Sequence, residues 1–392
     1  MNIKLKNIAI VTGSRADYGL LRELCKILEH KEDVQFSLIV SGSHFSLKHG
    51  NTFSEINIDK FENIIKLDLD IHGSSGHDIN IYIGRAIERF SKYFSSTDID
   101  VLIILGDRYE VFGAAVAAAT LNIKIAHIHG GEVTEGAFDD FLRHSITKMS
   151  YLHFTAHKEY SNRVVQLGEN PDHVFCFGGL GASVISNSKS ELLTKEQCTE
   201  VLGLTFNKKN LLVVFHPETK NKENNVQDLI QLLQALDTLQ DTHLIFTMPN
   251  ADPNFVNFFD IINKFVSRRT LTSFSYPSVG QKNFLSLLKA VDGIIGNSSS
   301  GILEAPSFCI GTVNIGQRQA GRVRSSSIID VNSNYDEIIK AIKRLYSKEF
   351  QEVLKTTKNP FFKNNTSEKI VDIVLMNTKK KNIKKFYNLV KE

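Results

Sequence analysis

Residues 127–144, HIHGGEVTEGAFDDFLRH, hold three histidines, four carboxylates and one arginine within eighteen positions. Groups able to move protons or hold a cation are densest here. Such groups are costly to bury without a task, and the segment opens in an apolar strand. The chemistry it points to is proton transfer or metal binding. His127 and His129 alternate along the strand and would share one face, so an HxH zinc half-site is one reading. Asp139 and Asp140 start an amphipathic helix with Phe141, Leu142, Ile146 and Met149 as its apolar stripe. Asp139 and Arg143 stand four apart, as do Asp140 and His144, the spacing of ordinary helical ion pairs. Glu132 follows two glycines, with no capping or pairing role visible in the sequence, and is the better catalytic candidate.

Other polar motifs follow apolar strands in the same way. Asp107 in LGDRYE comes directly after VLIIL, where a carboxylate can act as an acid or base or simply cap the next helix. Arg15 in GSRADYG lies between a strand and a helix, a place that suits an anion. Gly296–Gly301, GNSSSG, precedes the helix-like ILEAPS. Ser298, Ser299, Ser300 and Gly301 would let backbone amides approach a diphosphate, and Glu304 one turn on could accept from a ribose diol. Serine capping of a helix is the plainer alternative. Arg318 and Arg322 in GQRQAGR could complete an anion pocket. His216 ends the first strand of the second half, before Pro217. Neither GxGxxG nor GxxxxGK[ST] occurs, which argues against a dinucleotide fingerprint and excludes a P-loop.

The elements that must position these groups alternate throughout. Apolar runs at 8–13, 36–40, 101–105, 123–128, 152–156 and 174–178 read as strands, with longer amphipathic stretches between them. After a polar zone near 186–195 the alternation restarts with strands at 211–216, 243–248, 292–297 and 312–316. The expected fold class is α/β, two Rossmann-like domains facing a central cleft, with the polar motifs at the C-terminal strand ends where open parallel sheets bind ligands. The expected division is an N-terminal domain over 1–185, a C-terminal domain over 186–365 and a C-terminal helix over 366–392. A chain of 392 residues is long enough for two cores.

Net charge is +3 with acids and bases interspersed, so no global field argues for a nucleic-acid partner. Five lysines fall among the seven residues 379–385; a solvated helix end is the expectation, rather than a membrane patch. No apolar run approaches the ~18 residues that span a bilayer. Four cysteines without paired spacing read as free thiols of a cytoplasmic protein.

In order, TGSRADYG, GSHFSLKHGNT, LGDRYE, HIHGGE, FDDFLRHSITK, HPET, PNAD, GNSSSGILEAPS and NIGQRQAGR resemble the hydrolysing UDP-N-acetylglucosamine 2-epimerases of bacterial sialic acid synthesis, from residue 12 to about 324. The resemblance implies a glycosyltransferase-B architecture in which the C-terminal domain binds UDP and the C-terminal helix packs back on the first domain, a homodimer or higher homo-oligomer, a UDP-sugar substrate and no cofactor or metal. It implies elimination of UDP through a 2-acetamidoglucal and hydration to N-acetylmannosamine. It places acid/base roles on Asp107 and Asp139, with His216 as the histidine after the second domain's first strand. It places UDP contacts on Arg15, Arg108, Asn250, Ser298, Ser299, Glu304 and Arg318. Many relatives read HIEGGE where this chain has His129, so either His129 or Glu132 fills that glutamate's role. The alternatives are the same reaction on UDP-2,4-diacetamido-2,4,6-trideoxyglucose, for legionaminic acid, and a UDP-sugar glycosyltransferase of like architecture.

Overall fold

The computed structural model describes residues 5–45, 52–70, 73, 75–134, 140–218, 225–248, 256–379 and 383–389. The chain divides into two units, one of Met1–Glu132, Asp139–Ser183 and Lys363–Glu392, the other of Val133–Phe138 and Val184–Phe362.

The first unit is built on seven strands: β1 (Lys6–Thr12), β2 (Val34–Val40), β3 (Ile64–Lys66), β4 (Val101–Leu105), β5 (Lys124–Ile128), β6 (Leu152–Thr155) and β7 (Val174–Cys176). Their order is β3-β2-β1-β4-β5-β6-β7, and every pairing is parallel. The central strands β4 and β5 are buried along their whole length, as near-continuous apolar runs with both faces covered must be. One face is covered by the helices Gly76–Phe94 and Tyr109–Thr120, whose Ala86, Ala114, Ala117 and Ala118 keep the layers close. The other face carries Leu21, Leu24 and Leu28 of the helix Arg15–Glu29, together with Ile370, Val371 and Val374 of the helix Thr366–Met376. The C-terminal helix is thus part of the first unit's core.

The second unit repeats the plan with β8 (Lys209–Val214), β9 (Thr242–Thr247), β10 (Ser273–Tyr276), β11 (Gly293–Gly296), β12 (Gly311–Ile315) and β13 (Ile328–Val331). The order is β10-β9-β8-β11-β12-β13, again all parallel. Apolar clusters cover both faces, one around Leu211, Phe246 and Ile342, the other around Leu212, Ile245 and Leu288. Among the described residues no helix is long and apolar enough to cross a membrane.

In each sheet the strand order reverses once, between β1 and β4 and between β8 and β11. At that reversal the loops leave in opposite directions and open a crevice at the carboxyl ends. The ten strands legible in the sequence are all present, and β3, β10 and β13 are added. These three are sheet edges, short and only partly buried, so they lack the apolar run that marks the central strands.

The end of β11 shows how tightly one crevice is built. Gly296 has φ +139°, and a Cβ there would sit 2.0 Å from the Val214 carbonyl oxygen of β8. Backbone cannot yield as a side chain can, so Gly296→Ala is expected to cost about 3 kcal/mol or more of stability, read as a lower midpoint in urea unfolding.

Candidate active site

At the first reversal Ser14 caps the helix Arg15–Glu29, its hydroxyl accepting from the Asp17 amide at 3.3 Å. Arg15 is the first residue of that helix. Asp17 lies in the first turn, yet burial lifts its pKa to about 6, with the Arg108 cation opposing and Glu110 reinforcing. Arg108 Nε stands 3.6 Å from Asp17 and donates to Glu110 Oε1 at 2.5 Å. Glu110 is fully buried and also accepts from the Tyr82 hydroxyl at 3.3 Å. It fills the space beside Gly13, where any Cβ would lie 1.8 Å from Oε1. Arg108 therefore leaves β4 already held by two carboxylates. Glu110, which sequence reading missed, could have been noticed as an acid in a helix otherwise made of small apolar residues.

Asp107 is paired with Nη2 of Arg143, from the helix Asp140–Met149. The same guanidinium donates through Nη1 to the Glu132 carbonyl at 3.0 Å and approaches Asp140 Oδ1 at 3.4 Å. Burial draws the Arg143 pKa down, but Asp107, Glu132 and Asp140 outweigh it and the net direction is up. A buried cation thus gathers residues from the ends of β4 and β5 and from one helix. Here the sequence reading of that helix is corrected. Phe141 is 52% exposed, and Arg143 takes a buried place beside Leu142 and Ile146. Arg143 is bound by tertiary partners, and Asp140 reaches His144, at 3.6 Å. Asp139 lies outside the described residues, as does Asn250.

The two histidines do not share a strand face. β5 stops at Ile128, and His129 takes the left-handed conformation, φ +65°. His127 is spent inside the fold: Nε2 lies 2.8 Å from the Gly106 carbonyl, and Nδ1 lies 3.1 Å from the Thr147 hydroxyl. Burial brings its pKa down to about 3. A neutral ring must donate from Nε2 to that carbonyl, so Nδ1 accepts from Thr147. His129 Nε2 accepts from the Leu180 amide at 3.2 Å, and its Nδ1 stands 3.4 Å from Glu132 Oε1, an approach without a hydrogen bond. Glu132 is 3% exposed. It has a partner after all, three residues back and brought round by the turn. His129 and Glu132 thus lie side by side at the end of β5. Among the described residues no three histidine, cysteine, aspartate or glutamate side chains converge as a metal site would require.

In the second unit the reversal is organised by Asn297, another residue the sequence did not single out. Its side chain locks the backbone of His216, accepting from the amide and donating to the carbonyl, both at 2.7 Å. Its own carbonyl accepts from Arg318 Nη1 at 3.0 Å and from Gln319 at 2.9 Å. Glu218 accepts from the Arg318 amide at 3.0 Å. His216 is partly exposed; its burial, with Arg318 second, brings the ring pKa down to about 3. Ser298 caps the short helix Ser299–Leu303, accepting from the Ser300 amide at 3.3 Å. Gly301 packs on Thr312, which donates to its carbonyl at 2.7 Å. Glu304 closes that helix, its carboxyl pKa raised by burial against a bond to Ser300. The structure brings together His216, the serine loop and Arg318 at one reversal, and Arg15, Arg108 and Asp107 at the other.

Two doubly wound units, each with cations, hydroxyls and carboxylates at its reversal, define a nucleotide-binding class of α/β enzyme. The chain belongs to the UDP-N-acetylglucosamine 2-epimerase family, whose profile matches residues 26–375. It is 39% identical over 390 residues to the polysialic acid biosynthesis protein P7 of Escherichia coli, covering 98% of each chain. It is 36% identical over 347 residues to a GDP/UDP-N,N'-diacetylbacillosamine 2-epimerase (hydrolyzing) of Campylobacter jejuni, covering 88% of this chain and 89% of that one. Its fold matches the crystal structure of UDP-GlcNAc 2-epimerase from Neisseria meningitidis bound to UDP-GlcNAc, with a TM-score of 0.80 at 18% identity over 94% of this chain and 100% of that one.

The buried groups also set a pH dependence. Between 6.5 and about 3 the unfolded chain binds a proton at His127 that the folded chain refuses. That contribution to stability is complete above pH 6.5 and lost as the pH falls through the window. Asp17 has the opposite sign: between 3.8 and about 6 the folded carboxyl keeps a proton that the unfolded one has lost, so its contribution is lost as the pH rises. His127→Asn is expected to be less stable at pH 7 but to lose stability less steeply on acidification below 6.5. Urea unfolding at a series of pH values reads this, and an unchanged slope would refute it.

Proposed function

We propose that the chain is a hydrolysing UDP-N-acetylglucosamine 2-epimerase that converts UDP-N-acetylglucosamine and water to N-acetylmannosamine and UDP. A base takes the C2 proton, the C2–H electron pair forms the C1–C2 double bond, and the C1–O bond breaks with its pair leaving on UDP. Water then adds to the 2-acetamidoglucal, hydroxyl to C1 and proton to C2 with inversion, and the free sugar is released. Both steps are proton transfers and neither moves electrons to an acceptor, so positioned acids and bases suffice. The observation that carries this reading is the Arg143 cluster, which fixes Asp107 at the end of β4 with Glu132 and Asp140 around the same cation.

In this reading Asp107 and Asp139 are the acid/base pair, and the His129–Glu132 pair is the third proton-transfer element. Arg15, Arg108, Asn250, Ser298, Ser299, Ser300, Gly301, Glu304 and Arg318 bind UDP, and His216 completes the catalytic set from the second unit. Backbone amides and hydroxyls at the serine loop are chemistry suited to an anion. The resemblance to a usually dimeric family supports a homodimer or higher homo-oligomer. Four free cysteines suit a reducing cytoplasm.

The Campylobacter relative's name supports a second reading, the same elimination and hydration on a 2,4-diacetamido-trideoxy UDP-sugar. Side-by-side turnover of the two UDP-sugars decides: N-acetylmannosamine should be released faster, and faster UDP release from the diacetamido sugar reassigns the substrate. In heavy water the released sugar should carry one deuterium at C2. A requirement for an acceptor sugar would instead mean glycosyl transfer. Asp107→Asn should lower kcat by about a hundredfold or more, and Glu132→Gln and His129→Gln should each lower it too. Wild-type turnover in Glu132→Gln would leave the role to His129 alone.

A further inference from the structure

Within the basic C-terminal run, Lys379 and Lys385 are exposed but Lys384 is not simply solvated. Residues 383–389 lie along the first unit, and Lys384 turns inward with 26% of its side chain exposed. Its Nζ reaches the carbonyls of Lys148 at 2.5 Å, Ser150 at 2.6 Å and Thr147 at 3.4 Å. These groups end the helix Asp140–Met149, whose last carbonyls have no partner within the helix. A cation there satisfies them and complements the negative end of the helix dipole. Ser150 takes another, its hydroxyl donating to the Ile146 carbonyl at 2.7 Å.

The anchor beneath is a buried carboxylate. Lys384 pairs with Glu169 at 2.5 Å, and Glu169 also binds Lys148 at 2.8 Å and His153 at 3.0 Å. Glu169 is 2% exposed, so its charge needs these partners. The passage is held on its far side as well. The Tyr387 amide donates to the Gly168 carbonyl at 2.9 Å. The Phe386 ring lies over Gly168, where a Cβ would meet it at 2.4 Å, and Lys148 Nζ stands 4.5 Å from the ring centre.

The other end of that helix carries Asp140, Arg143 and His144. We propose that Lys384 is a positioning residue for the reaction: the C-terminal strap clamps the helix that sets Arg143, and through Arg143 the orientation of Asp107. The strap therefore acts at the reacting carboxylate without touching substrate. A helix of ten residues, whose frayed last turn would tilt its first, gives the route.

This inference rests on the epimerase reading, and the two are separable. If the wild-type chain releases no sugar from either UDP-sugar, the functional reading fails. If it does, Lys384→Met is expected to keep the KM for UDP-N-acetylglucosamine within about twofold and to lower kcat about tenfold. Faster amide hydrogen exchange across 140–149 should accompany that loss, and Lys384→Arg should restore at least half of kcat. A merely structural lysine would lower the unfolding temperature and leave kcat unchanged below it, and that result overturns the proposal. Should Lys384→Met not fold, Lys384→Gln, whose amide can still donate to the carbonyls, should fold with kcat lowered about threefold; wild-type kcat in that variant likewise overturns it.

Discussion

A buried guanidinium organises the first unit's chemistry. Arg143 is 5% exposed, and an unpaired charge there would be strongly destabilising. Its demand is met by Asp107 from the end of β4, by the Glu132 carbonyl beyond β5 and by Asp140 on its own helix. Three segments distant in sequence are thus tied to one planar fork, whose directional donors set orientation as well as distance. Removing Asp107 would leave the buried charge with less compensation, which makes that pairing costly to break.

Around that cation the fold separates partly exposed polar groups from buried ones whose bonds are all internal. His127 looks catalytic by type, yet both ring nitrogens are engaged by a backbone carbonyl and a threonine, and its burial keeps it neutral. Glu110 is likewise committed, bridging Arg108 and Tyr82 beneath Gly13. Asp107, His129 and Asp140 keep partial exposure, at 18%, 15% and 28% of their side chains, and can meet a substrate. The second unit solves a different problem. There Asn297 stitches the ends of β8 and β11 together, and His216, the serine loop and Arg318 are positioned mostly by backbone bonds. Rigid backbone suits holding an anion, whereas coupled side chains suit moving a proton.

Legibility in the sequence followed the reach of each interaction. β4 and β5 were visible because strands buried on both faces must be apolar throughout, and the loops after them because polar residues there interrupt such a run. The edge strands β3, β10 and β13 were not, since half-exposed strands carry no such pattern. Asp107, Glu132 and Ser298 stood out by type and by position after a strand. Glu110 and Asn297 did not, because their partners lie in other segments or depend on a turn.

Local rules carried by the chain itself thus determined the α/β class, the two successive sets of strands, the strand ends on which chemistry would fall and the resemblance to a sugar-nucleotide enzyme family. Tertiary structure decided what each polar group does there. It made Arg143 a buried hub and moved His127 from candidate ligand to core. It joined His129 to Glu132 through a left-handed turn, and it drew Lys384 from an apparently solvated run into the end of the active helix. Periodicity and strand-end placement are properties of neighbours in sequence. The partner that satisfies a buried charge is a property of neighbours in space, and only the folded chain supplies it.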